Sequence, residues 1–158
     1  PGTSFTYAVG KLVFWSADAK RVADGEKLLA SGDFNKCAVA NPKLAPYGLA
    51  AYETLKAMGL FEKVQPKFVE GDNIGKTFNF VKTGNADVGF VALSQVARDG
   101  RITSGSGWIV PQNYYQPIRQ DAVLLKNGAN PEAARAFLEF LKGPEAAKVK
   151  TAYGYGAE

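Results

Sequence analysis

Residues 38–59 read AVANPKLAPYGLAAYETLKAMG, a pattern typical of a strand, a turn and a helix in succession. It begins as an apolar strand, turns through Asn41-Pro42 and Pro46-Tyr47-Gly48, and continues with apolar residues at helical spacing: Leu49, Tyr52, Leu55 and Met58. A strand that enters a helix in this way leaves unpaired backbone N–H groups beside the positive end of the helix dipole. The stretch therefore predicts an anion site, although an ordinary strand–loop–helix connection has the same pattern.

The same arrangement recurs in residues 68–75, FVEGDNIG. Here Asp72 or Asn73 is placed to cap a helix, and Ile74, Phe78 and Val81 follow at positions i, i+4 and i+7 of one helical face. Two strands that each lead through a turn into a helix start favour a shared site over two unrelated connections.

The remaining pattern alternates short strands with helices. We predict strands at 11–15, 37–40, 64–70, 87–93, 108–110 and 120–126. We predict helices after residues 46, 73, 130 and 144, and a weakly marked one within 19–34. This alternation indicates βαβ units and a mainly parallel sheet. We predict an α/β fold, a three-layer αβα lobe.

Composition limits the function. The chain has 158 residues, 46% hydrophobic and 22% charged, and no apolar run long enough to span a bilayer. Its net charge of +4 comes from scattered Lys and Arg, which argues against a nucleic-acid partner and for weak attraction of small anions. The first residue is Pro1, so we expect a mature, tagged or cut chain.

The residues that catalysis needs are mostly missing. The chain has no histidine, and its one cysteine, Cys37, lies in an apolar strand where we expect a buried, inert thiol. We interpret Asp72 as a cap, Asp87 as a strand-start residue and Asp121 as a structural partner of Arg119. We therefore expect no catalytic residues and no enzyme, but a binding protein.

Several segments together resemble periplasmic molybdate-binding proteins of the type II periplasmic binding protein family. They are residues 9–16 (VGKLVFWS), 40–48 (ANPKLAPYG), 71–75 (GDNIG), 83–96 (TGNADVGFVALSQV), 117–125 (PIRQDAVLL) and 152–156 (AYGYG). They occur in the family's order over nearly the whole chain. The resemblance implies a periplasmic solute receptor that delivers molybdate or tungstate to a membrane ABC permease, without a cofactor.

The resemblance also implies the site and the organisation of the chain. Tyr47 and Ile74 match the positions whose backbone N–H groups bind the oxygen atoms of molybdate, so the molybdenum is held only through the oxyanion. Asn73 and Ala92 are further candidates. Ala92 stands where some members have a tyrosine hydroxyl. Residues 17–90 match one complete lobe, and residues 1–16 and 91–158 match the hinge strands and part of the other lobe. The serine ligands of that other lobe would precede Pro1.

Two alternatives stay open at this point. The chain could be a receptor domain for another small anion or an organic acid, or an assembly module without a ligand of its own. We further expect Val123, Leu124, Leu125, Phe137, Leu138 and Leu141 to pack against a missing N-terminal segment or another copy of the chain.

Overall fold

The computed structural model of the chain describes residues 2–157. Its strands are β1 (Phe5–Gly10), β2 (Leu12–Ser16), β3 (Cys37–Ala40), β4 (Phe68–Gly71), β5 (Val88–Ala92), β6 (Ala97–Arg98), β7 (Arg101–Ile102), β8 (Ser106–Ile109) and β9 (Ile118–Ala122). Its helices are α1 (Gly25–Ser31), α2 (Pro46–Ala57), α3 (Phe61–Val64), α4 (Ile74–Lys82), α5 (Leu93–Val96), α6 (Pro131–Lys142) and α7 (Pro144–Ala152). Gln65–Lys67 and Gln112–Tyr114 form 3₁₀ turns.

Five strands form the central sheet, in the order β4-β3-β5-β2-β8. β3 is parallel to both of its neighbours, with Ala40 opposite Gly71 of β4 and Cys37 opposite Val88 of β5. β2 is antiparallel to β5 and to β8, so β8 runs in the same direction as β5. Four of these five strands therefore point the same way, and the predicted mainly parallel sheet is confirmed.

Helices cover both faces of this sheet, because alternate residues of each strand point to opposite sides. Phe14 of β2 belongs to the core cluster that includes Leu55 of α2. Val13 and Trp15, its neighbours in the same strand, belong to a second cluster that includes Val81 of α4. The sheet thus lies between two helical layers, which is the αβα arrangement predicted from the sequence.

A separate antiparallel ribbon is formed by β1 and β9. The chain end adds to it, because Val9 and Gly156 exchange two backbone hydrogen bonds of 2.9 and 2.8 Å. β6 and β7 form a second small ribbon. The predicted lobe boundaries at residues 17 and 90 stay a prediction, although β2 and β8 lie outside them and belong to the central sheet.

The strand predicted for residues 64–70 is too long at its start. Val64 ends α3, residues 65–67 form a 3₁₀ turn that contains Pro66, and β4 begins only at Phe68. Proline lacks the N–H that a ladder needs, and its φ suits the first turn of a helix. The apolar Val64 is buried from a helical turn instead of from a strand.

The strand predicted for residues 120–126 is shifted. β9 spans Ile118–Ala122 because its partner β1 begins at Phe5, which lies opposite Ala122. Beyond that pair, Leu124 N–H donates to the Thr3 hydroxyl at 3.1 Å instead of continuing a ladder. Val123 and Leu125 are left exposed.

The buried face of α2 also differs from the one predicted. Leu49 is 50% exposed, whereas the buried residues of the helix are Tyr47, Gly48, Ala50, Ala51, Thr54 and Leu55. Of the predicted set, Leu55 is fully buried and Tyr52 and Met58 pack partly buried against the same core, so the prediction is wrong at Leu49. Small residues fill the rest of the buried face and let the helix lie close to the sheet.

Candidate functional site

The ends of β3 and β4 bring two helix starts to one edge of the sheet. Ala40 and Gly71, the last residues of these parallel strands, lie opposite each other, and Asn41 N–H donates to Gly71 C=O at 2.8 Å. β3 leads into α2 on one face, and β4 leads into α4 on the other. Neighbouring strands whose helices go to opposite faces open a crevice beyond their carboxyl ends, where α/β proteins commonly bind ligands.

The loop before α2 uses almost all of its amides internally. Asn41 C=O accepts from the N–H groups of Leu44 and Ala45 at 3.1 and 2.9 Å, and Asn41 Oδ1 accepts from Lys43 N–H at 2.9 Å. Ala45 C=O in turn accepts from the N–H groups of residues 48 and 49. Pro46 has no N–H, so Tyr47 carries the one amide of residues 43–49 that has no acceptor within residues 2–157.

The start of α4 leaves two amides available. Asn73 is the N-cap: its Oδ1 accepts from Lys76 N–H at 2.9 Å, and its C=O accepts from Thr77 N–H at 3.1 Å. No acceptor in the described part of the chain takes the N–H of Ile74 or of Gly75. The two helices thus present backbone donors at the same edge, together with the partial positive charge of each helix start.

Glycines allow each helix start to lie directly on a strand end. A β-carbon at Gly48 would be 2.1 Å from Ala40 O, and one at Gly71 would be 2.8 Å from Thr77 Oγ1. Any larger residue at Gly48 would push α2 away from β3, and with it the N–H of Tyr47. The Gly of Pro46-Tyr47-Gly48 is therefore needed for close approach.

The side chain of Tyr47 lies inside the protein and not at the surface. It is 7% exposed, in the cluster that also contains Leu12, Tyr115 and Ile118. Burial raises the pKa of its hydroxyl, and the neighbouring Tyr155 and Tyr115 add to this effect. The hydroxyl therefore stays protonated at neutral pH, and the residue places no charge near the helix start.

The other two candidate residues, Asn73 and Ala92, use part of their polar groups in hydrogen bonds within the protein. Ala92, the last residue of β5, ends at the same edge of the sheet, but its N–H donates to Gln95 Oε1 at 3.0 Å and its side chain is a methyl group. The Oδ1 of Asn73 is used in capping, as described above. The structure thus places all four predicted residues at one edge, with the amides of Tyr47 and Ile74 as the available donors.

The acidic candidates have structural roles. Asp87 Oδ2 accepts from the N–H groups of Asn35 and Lys36 at 2.6 and 3.0 Å, and Asp121 accepts from the Thr6 hydroxyl at 2.7 Å. Asp72 forms an ion pair with Lys76, and Asn73 takes the capping role. Cys37 is fully buried, and burial raises the pKa of its thiol.

Within residues 2–157, no group of three or more His, Cys, Asp or Glu side chains is arranged to hold a metal cation. No helix in that range is long and apolar enough to cross a membrane. The site described above is a set of neutral N–H donors. Such donors suit a ligand that accepts hydrogen bonds and carries negative charge.

Two features of this edge were not predicted from the sequence. One is the free amide of Gly75, and the other is Gln95, whose side chain bonds both to Ala92 and to Ile74. Gln95 stands three residues after Ala92, the spacing of a capping box, but the cap position holds no Ser or Thr to make that signal recognisable.

The chain is similar to known bacterial solute-binding proteins over nearly its whole length. The family model for bacterial extracellular solute-binding proteins matches residues 1–156. The molybdate-binding proteins ModA of Azotobacter vinelandii and Rhodobacter capsulatus are each 53% identical to the chain over 99% and 100% of its length. The chain spans 62% and 61% of the length of these relatives. The solved Azotobacter vinelandii periplasmic molybdate-binding protein superposes with a TM-score of 0.94 at 41% identity, covering all of this chain and 69% of that one.

Proposed function

The chain belongs to the bacterial extracellular solute-binding protein family, and from this premise we propose that it is the oxyanion-binding part of a molybdate receptor. One observation carries the proposal: two helix starts at one sheet edge present the unpartnered N–H groups of Tyr47 and Ile74. The names of its relatives, at 53% identity, point to molybdate as the ligand.

The chemistry of molybdate suits this donor set. A fully deprotonated tetrahedral dianion can only accept hydrogen bonds, so amide N–H groups and helix dipoles bind it without a counter-charge. A protonated anion would also need a hydrogen-bond acceptor in the site for its own O–H group. Sulfate has the same shape but is smaller, and tungstate is nearly equal in size to molybdate. The size of the closed site would therefore exclude sulfate while admitting both molybdate and tungstate.

The organisation of the chain follows from the same proposal. Residues 17–90 would form the complete second lobe, and residues 1–16 and 91–158 would supply hinge strands and the C-terminal part of an incomplete first lobe. The oxyanion would be held between the two lobes, with Tyr47 and Ile74 contributing from the second. We place the protein in the periplasm, where it would deliver the anion to a membrane ABC permease, and we assign it no cofactor and no catalytic role.

An apolar face formed by α6 and residues 122–128 supports this two-lobe organisation. No residue of α6 is buried, and Phe137 and Leu125 are 58% and 72% exposed. These residues line a groove of about 500 Å³ between α6 and residues 122–128. Apolar area of this kind is normally covered. We propose that further chain length, of the kind the relatives have, covers it.

Calorimetry tests the function directly. Molybdate, tungstate, sulfate and phosphate are titrated in turn into the protein, and we expect heat from the first two only. Because the chain offers only part of the donor set, the affinity of residues 1–158 alone should be well below that of a complete receptor. Submicromolar molybdate binding by residues 1–158 alone would contradict the proposal that these residues hold only part of the site.

The alternatives give different results in the same titration. Binding of another small anion or of an organic acid, without molybdate, would indicate a receptor of different specificity. No heat from any anion would favour an assembly module.

A further inference from the structure

The side chain of Gln95 connects the end of β5 to the start of α4. Its Oε1 accepts from Ala92 N–H at 3.0 Å, and its Nε2 donates to Ile74 C=O at 3.2 Å, across 21 residues of sequence. The orientation of the amide follows from these partners, since a flipped side chain would oppose two donors at Ala92 and two acceptors at Ile74. Gln95 is half-buried, so the contact is partly protected from water.

The bond to Ile74 fixes the direction of a neighbouring amide. Ile74 C=O and Gly75 N–H belong to one peptide group, and they point in opposite directions because the group is trans. When Gln95 holds the carbonyl, it therefore also sets the direction of the Gly75 N–H. That N–H and the N–H of Ile74 are the two unpartnered donors at the start of α4.

A backbone hydrogen bond ties the segment that carries Gln95 to the link between β1 and β2. Leu93 N–H donates to Lys11 C=O at 2.9 Å, and Lys11 joins β1 to β2. Hydrogen bonds of the adjacent residues Ala92 and Leu93 thus connect the end of β5 to the link between β1 and β2 and, through Gln95, to the first turn of α4.

On the basis of the proposed function, we propose that Gln95 is a positioning residue of the oxyanion site. It holds the first turn of α4 against the end of β5, so that the amides of Ile74 and Gly75 are presented together and Gly75 becomes a third donor. The side chain acts through these amides and not by contact with the anion.

Two variants and one control test this role. Gln95→Met keeps the size of the side chain and removes both hydrogen bonds, whereas Gln95→Glu keeps the acceptor for Ala92 and loses the donor to Ile74. Gln112→Met is the matched control, because Gln112 Nε2 also donates to a backbone carbonyl, that of Tyr115, at 2.9 Å and lies outside the site. Thermal unfolding of all three confirms that they are folded.

Amide spectra of the ligand-free protein give the first result. We expect the Gly75 N–H resonance to move in both Gln95 variants, and the Ala92 resonance to move in opposite directions, because Gln95→Met removes the acceptor of Ala92 N–H and Gln95→Glu replaces it with a stronger, charged one. A Gly75 resonance unchanged in both variants would overturn the proposal. This measurement does not depend on which anion the protein binds.

Calorimetry with molybdate gives the second result. We expect Gln95→Met to bind about threefold to tenfold more weakly than wild type, the size expected for loss of one or two modest hydrogen bonds. Gln112→Met should equal wild type. Equal affinity of wild type and Gln95→Met would overturn the positioning role and leave the proposed function intact. If wild type binds no molybdate, the proposed function fails, and the ligand-free spectra alone decide whether Gln95 holds α4.

Discussion

The hydroxyl of Tyr47 ends against Gly10, where an added β-carbon would lie 2.2 Å from the Tyr47 oxygen. Gly10 is the last residue of β1, and two residues later Leu12 begins β2 with its N–H bonded to the Tyr115 hydroxyl at 3.1 Å. Two tyrosines therefore contact the segment that joins the β1–β9 ribbon to the central sheet. Tyr47, whose amide is a proposed donor to the anion, thus also packs its side chain against the segment between β1 and β2.

Replacing Gly10 with alanine should destabilise the protein. The new methyl group would overlap the Tyr47 ring, and such overpacking costs about 1–3 kcal/mol. Urea unfolding measures the change in the free energy of unfolding. The same substitution in a Tyr47→Phe background should cost less, because the nearest atom has been removed. Equal costs in both backgrounds would mean that Gly10 and Tyr47 do not interact.

The Tyr47→Phe variant alone should bind molybdate with nearly the wild-type affinity. The proposed donor is the backbone N–H of residue 47, which the substitution keeps, while the hydroxyl is buried against Gly10 at the end of β1. Calorimetry on the variant and the wild type makes the comparison. A loss of tenfold or more would assign the hydroxyl, and not the amide, as the main contact.

The Ile74→Pro variant should lose affinity without losing the fold. Ile74 is the first residue of α4, where proline is well tolerated, and Asn73 before it has the extended backbone that proline requires, with φ −151° and ψ 169°. The substitution removes one N–H, at a cost of about 1–3 kcal/mol in binding. Ile74→Val is the control and should bind as wild type does. Unchanged binding by a folded Ile74→Pro variant would remove this amide from the site.

The exposed apolar face should make residues 1–158 associate when alone. Phe137, Phe140, Val123 and Leu125 are each more than half exposed, and each contributes about 1.5–3 kcal/mol when buried. Light scattering should detect self-association that a Phe137→Gln, Leu125→Gln double variant reduces. A stable monomer of residues 1–158 that excludes hydrophobic dyes would contradict the proposal.

Local signals in the sequence were sufficient for much of the fold and for the candidate donors. Turn residues and caps are encoded within a few positions, so the starts of α2, α4 and α6 could be predicted from Pro46, Asn73 and Asn130. The strand at residues 37–40 was equally clear, because all of its residues are apolar.

Features that depend on distant partners could not be predicted. β9 ends where its antiparallel partner β1 begins, and the buried face of α2 depends on how closely its small residues approach the sheet. The contact between Tyr47 and Gly10 and the bond between Gln95 and Ile74 both join separate elements. No spacing rule within one segment indicates such pairs.

We propose that the backbone amides at the starts of α2 and α4 bind a tetrahedral oxyanion. The most direct test is a titration of ¹⁵N-labelled protein with molybdate, followed through its amide resonances. We predict saturable shifts that are largest at the N–H groups of Tyr47 and Ile74 and that sulfate does not reproduce at equal concentration. Shifts confined to other parts of the chain, or none at these two amides when calorimetry detects binding, would contradict the account.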